Sequence, residues 1–144
     1  MRAIRAFLPV ALLAPALLSG CIIHDNDGGR VPGNAIPDVQ NAEAGCAWSD
    51  WNGDWIWYFE ADAIDLDGPW DVVEVWADVY DTRGDYIESF SLYRETVAPE
   101  FWFSDWLQHY SYLDCIAGDY VVDIVAYDIA GEFGIQSVVP RYNP

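Results

Sequence analysis

The stretch Tyr120-Val121-Val122-Asp123-Ile124-Val125-Ala126-Tyr127 decides how this chain folds. Tyr120, Val122, Ile124 and Ala126 fall on one side of an extended backbone, and Val121, Asp123, Val125 and Tyr127 fall on the other. Side chains alternate with period two in a strand, so one set faces a core and the other turns outward. The same alternation recurs on the N-terminal side. Val73, Val75, Ala77 and Val79 alternate with Glu74, Trp76, Asp78 and Tyr80, while Trp55, Trp57, Phe59, Ala61 and Ala63 oppose Tyr58, Glu60 and Asp62. Weaker strand patterns fall at 86–93, 100–104 and 132–139, and 105–113 suits a short helical crossover. Asp65-Leu66-Asp67-Gly68-Pro69, Thr82-Arg83-Gly84-Asp85, Ala98-Pro99 and Asp128-Ile129-Ala130-Gly131 supply turn chemistry between them. With no long amphipathic helix, the pattern predicts an all-β fold, a single immunoglobulin-like β-sandwich of about seven antiparallel strands over residues 45–142.

Two local motifs carry a resemblance. Gly118-Asp119-Tyr120 resembles the tyrosine corner of immunoglobulin-like and fibronectin-like sandwiches, which implies a tyrosine hydroxyl bonded back to the preceding crossover. Residues 59–68, with the acidic turn Asp65-Leu66-Asp67-Gly68, followed by 72–80, are similar to bacterial immunoglobulin-like, cadherin-like and PKD-like domains. Such likeness speaks for fold more than for function.

The amino terminus reads differently. Arg2 and Arg5 precede an apolar run from Ala6 to Leu18 that contains Pro9 and Pro15. As a helix this run would cover roughly 20 Å, short of a ~30 Å hydrocarbon core, and its prolines weaken it further. A cleaved secretion signal over 1–20 is therefore expected. Leu18-Ser19-Gly20-Cys21 resembles the lipobox of bacterial lipoproteins, which implies cleavage before Cys21 and acylation of its sulfur and amino group. Several acyl chains make a stable membrane anchor. Ile22 stands where an aspartate would resemble an inner-membrane retention signal, so the outer membrane is expected if the envelope is Gram-negative. Residues 21–44 are rich in Gly, Pro, Asn and Asp, and read as a lipidated flexible tether.

The chain carries 24 acids against six basic residues, all of them arginine. Loss of residues 1–20 removes Arg2 and Arg5 and leaves a formal charge of −20. Such a surface repels phosphate backbones and anionic headgroups, which excludes nucleic acid as a partner and leaves membrane contact to the lipid. The chain is nevertheless 53% hydrophobic and 16% aromatic, far from the composition of a disordered acidic tail. Beyond Cys21, the remaining cysteines Cys46 and Cys115 are expected to pair in an oxidising compartment, with two separate buried thiols as the alternative.

Three kinds of chemistry are open to the folded part. Asp62, Asp65 and Asp67 are hard oxygen ligands beside a glycine turn, with Asp128 in another strand-connecting loop; they form a candidate calcium site that is not an EF-hand. Trp48, Trp51, Trp76, Trp102 and Trp106 are candidate binding aromatics, because a sandwich buries only the inward half of each strand. Catalysis finds little support. No nucleophile elbow, zinc-protease, P-loop or dinucleotide motif occurs, and His109 is the single histidine of the folded part. Glu60 with Asp62 or Asp123 is the conceivable carboxylate pair for glycan hydrolysis. The expected function is a membrane-anchored, non-catalytic domain that binds a protein or glycan. The alternatives are a surface-decorating domain without a specific ligand and, more distantly, a carboxylate-dependent hydrolase.

Overall fold

The computed structural model describes residues 33–143. The expected signal segment 1–20, the expected lipidation residue Cys21 and the expected tether up to residue 32 lie outside them. Among the described residues, nine strands build two facing sheets. β1 (Asp38–Ser49), β2 (Asp54–Ile64), β5 (Tyr93–Arg94), β6 (Phe101–Leu107) and β9 (Arg141–Asn143) form one, in the order β5-β6-β2-β1-β9. β3 (Val72–Asp81), β4 (Tyr86–Ser91), β7 (Tyr120–Asp128) and β8 (Phe133–Val138) form the other, in the order β4-β3-β7-β8. This is an all-β sandwich with the strand order of the immunoglobulin-like arrangement. It has more strands than the seven expected, because short β5 and β9 extend the edges of the first sheet. β9 also pairs in parallel with β1, beside otherwise antiparallel ladders.

The inward halves of the alternating strands make the core. Trp57, Phe59, Ala61 and Ala63 of β2 face Val75, Ala77 and Val79 of β3 and Val122, Ile124 and Ala126 of β7, all buried. Phe59 stacks on Phe90 at 4.9 Å between centroids, and Trp57 meets Tyr120 edge-on at 5.6 Å. Each such large side chain contributes about 1.5–3 kcal/mol of burial free energy, which sets the strand register.

β1 starts before the expected domain boundary at 45, so residues 38–44 belong to the sheet and not to a tether. A bulge hides this strand from a period-two reading. The register with β2 shifts between Gln40 and Glu43, and Asn41 takes a left-handed backbone (φ 50). Val39 and Ala44 therefore both point inward although an odd number of positions separates them. The segment 105–113 also resolves differently. β6 runs on to Leu107, and only Gln108–Tyr110 is helical, as a 3₁₀ turn.

The crossover from β6 to β7 is held at two points. Cys46 in β1 is disulfide-bonded to Cys115 in the crossover, with Cα atoms 5.8 Å apart. Tyr120 Oη accepts the backbone N–H of Asp114 at 2.9 Å. The ring lies so close over Gly118 that a Cβ there would sit 2.0 Å from it, which leaves glycine as the residue that fits.

Tyr120→Phe keeps the ring and removes the acceptor, so urea melts are expected to show a loss of about 1 kcal/mol. Gly118→Ala should cost more, because the ring itself must move. Reduction of Cys46–Cys115 reopens a loop spanning 69 positions and should lower unfolding free energy by roughly 4 kcal/mol in the chain-entropy model. A melt unaffected by reductant would contradict that stapling role.

Candidate functional site

Two surfaces stand out, one at the loop end of the sandwich and one on its outer face. At the loop end, the β2–β3 connection folds around its own carboxylates. Asp65 Oδ1 accepts the N–H of Asp67 at 2.8 Å, and the N–H of Gly68 donates to the Asp65 carbonyl at 3.1 Å. The N–H of Asp71 then donates to the Gly68 carbonyl at 3.0 Å. Gly68 sits at φ +130, a backbone conformation that other residues rarely adopt. The Asp71 carbonyl in turn accepts the N–H of Ile129 at 2.9 Å, which joins this loop to the β7–β8 hairpin. Asp128 ends β7 there, opposite Val72 and almost wholly buried.

The chain arriving from residue 33 closes the same corner. The N–H of Ala35 donates to Asp67 Oδ2 at 2.7 Å. Asn34 Nδ2 donates to Asp128 Oδ2 at 2.5 Å, while Asp128 Oδ1 accepts the N–H of Glu132 at 2.8 Å. Other oxygens are left without donors. Asp65, only 6% exposed, has a buried Oδ2 with no hydrogen-bond partner, and so does Asp71. One carboxylate oxygen each from Asp65, Asp67 and Asp71 lies within 4.8 Å of the others. Burial pushes the Asp71 carboxyl above its ordinary value, and the charges of Asp65, Asp128 and Asp67 push it further. An acidic triad of this kind could hold a metal ion.

Asp62, expected as the third ligand, is not part of the triad. It lies on the outward side of β2, where Asn41 Nδ2 donates to its Oδ2 at 2.7 Å. The strand continues past Asp62 to Ile64, so the turn begins only at Asp65 and Asp71 takes the third place. The D-x-D-x-x-x-D spacing within a single turn was the signal available for Asp71.

The second surface is the outer face of the four-stranded sheet. Trp76 of β3 and Ile135 of β8 flank Val125 in register, and Val125 is 4% exposed although it points away from the core. Tyr127 and Phe133 pair across β7 and β8, with ring centroids 5.7 Å apart. Phe133 and Ile135 remain 53% and 51% exposed. An acidic band borders this apolar strip. Asp78 and Asp123 lie opposite each other, Ser89 hydrogen-bonds to Asp78, and Ser137 Oγ donates to Asp123 at 2.5 Å.

The other sequence-predicted aromatics divide. Trp51 is fully open in the β1–β2 turn, and Trp48 is half-exposed against Trp55. Trp102 is buried and therefore no surface residue; its ring and that of Trp70 enclose the Arg94 guanidinium at 4.6 and 4.8 Å. Trp106 is partly covered and packs on Phe90. Phe133 and Ile135 escaped notice in the sequence because 132–139 alternates only weakly.

Of the conceivable hydrolytic pairs, Glu60 and Asp62 lie two positions apart on the outward side of β2, whereas Glu60 and Asp123 do not converge. Glu60 faces outward from the first sheet and Asp123 outward from the second, so the sandwich separates them. Burial raises the Glu60 carboxyl above its ordinary value, with Glu43 and Asp105 adding to it. His109 Nδ1 lies 2.5 Å from Asp54 Oδ2, a hydrogen-bond contact that fastens the 3₁₀ turn to the start of β2.

The chain matches no family model, no characterised protein and no solved structure.

Asp71 yields a pH signature. Its folded-state value is raised, so its ionisation costs the fold stability. That cost is absent below the ordinary carboxylate range, grows as pH rises through the raised value, and is complete above it. In chelator at neutral pH, Asp71→Asn should therefore melt higher than the parent, and the difference should vanish near about pH 3. An equal or lower midpoint at neutral pH would contradict the repulsion.

Proposed function

We propose that this protein is a lipid-anchored envelope protein whose immunoglobulin-like sandwich is a non-catalytic module for binding a protein or glycan partner. The observation that carries this reading is the apolar strip of Trp76, Tyr127, Phe133 and Ile135 on an outer sheet face. Outward strand positions facing water are usually polar. Here they present aromatic rings beside carboxylates and serine hydroxyls, a combination suited to stacking on a sugar ring or anchoring a partner side chain. Anchoring rests on the lipobox-like Leu18-Ser19-Gly20-Cys21. Calcium is the cation proposed for Asp65, Asp67 and Asp71, since an all-carboxylate oxygen set suits a hard divalent ion.

The strip is tested by crosslinking the native protein in its envelope and by titrating the purified protein with soluble cell-wall glycans. Phe133→Ser combined with Trp76→Ala should weaken capture or glycan affinity by roughly 30-fold, the usual cost of an aromatic hot spot. Unchanged binding by this variant, with its melting curve intact, would remove the strip from the function. Cys21→Ser should shift the protein from the detergent phase to the aqueous phase, and a variant that still partitions into detergent would end the anchoring reading.

A further inference from the structure

We propose that a divalent cation held by Asp65, Asp67 and Asp71 clamps residues 34–37 onto the loop end of the sandwich, so that cation level sets how firmly the domain is fixed to the segment preceding it. This rests on the calcium reading above and goes beyond it in assigning the ion a mechanical consequence.

The contacts of the arriving segment run through the acidic corner itself. Ala35 is bonded to Asp67 Oδ2, which belongs to the triad. Asn34 is bonded to Asp128, which adds to the negative potential around Asp71. Beyond them the Pro37 carbonyl lies flat on Gly134 of β8, where a Cβ would come within 1.9 Å of it. The Ala42 N–H donates to Gln136 Oε1 at 2.9 Å and continues the attachment along β8. Residues from Pro37 onward are thus held by close packing and the sheet, whereas Asn34 and Ala35 are held by the carboxylates of Asp67, Asp128 and, at 3.3 Å, Glu132.

Those carboxylates sit among like charges. Without a cation, Asp65, Asp67, Asp71 and Asp128 repel one another, and relief comes from spreading the β2–β3 and β7–β8 loops. Spreading separates Asp67 from Asp128, and Asn34 and Ala35 cannot then follow both. The buried Oδ2 atoms of Asp65 and Asp71 are acceptors without donors, and a cation satisfies both at once. With the ion in place the carboxylates attract a shared centre, and the loops stay at the spacing that Asn34 and Ala35 require.

Hydrogen exchange on the full mature chain in detergent micelles tests this, stripped with chelator and then returned to millimolar Ca²⁺, with calorimetric titration of Ca²⁺ on the same sample. Calcium should bind, and exchange of the Ala35 amide should slow by roughly tenfold or more while amides at the centre of β7 change little. Asn34→Ala should keep the calcium heat and lose part of that protection, and Asp65→Asn should lose both. Calcium binding with unchanged Ala35 exchange would overturn the clamp and leave the site standing. Absence of any calcium heat would overturn the clamp and the calcium reading together.

Discussion

Four carboxylates meeting at one corner of the sandwich are the constraint around which the rest is arranged. Asp65, Asp67 and Asp71 come from the loop between the two sheets, and Asp128 comes from the end of β7. Burial in a chain this acidic is costly wherever charges gather, and buried carboxylate oxygens without donors make it more so. Backbone bonds offset part of that cost. The Gly68 turn, the Asp71–Ile129 link and the bonds from Asn34 and Ala35 all satisfy groups within the corner. A cation held by the triad would offset the remainder.

The sandwich supplies the rigidity that this corner and the aromatic strip require. Trp57, Phe59 and Phe90 fill the space between the sheets, and Cys46–Cys115 ties the crossover to β1. Once the inward faces are fixed, the outward faces follow from strand alternation with no freedom left. Phe133 and Ile135 are exposed and Trp76 and Tyr127 half-buried for that reason, and the buried outward Val125 marks where they crowd together. The strip and the acidic corner share the β7–β8 hairpin, since Tyr127 and Asp128 are adjacent in β7. A change in loop position at the corner is therefore close to the apolar strip.

Much of the fold was legible in the sequence because burial imposes period two. β2, β3 and β7 declared themselves through Trp57-x-Phe59, Val75-x-Ala77-x-Val79 and Val122-x-Ile124-x-Ala126. β1 did not, because the bulge at Asn41 puts its inward residues out of phase. β5 and β9 are two and three residues long, too short for any period to show. The site was half legible. Asp65 and Asp67 were visible as a turn pair, but Asp62 looked equally suitable until the strand was seen to run through it. Trp102 carried no mark of burial in the sequence, since Trp106 on the same strand face stays partly open. Which aromatics face water depends on how the two sheets pair, and that is a tertiary fact.

The most direct measurement is long-wavelength X-ray diffraction from crystals grown with calcium chloride. A single anomalous peak coordinated by Asp65, Asp67 and Asp71, with Asn34 and Ala35 still bonded to Asp128 and Asp67, is the expected result. Well-ordered carboxylates surrounding water, with no anomalous density between them at millimolar Ca²⁺, would contradict it.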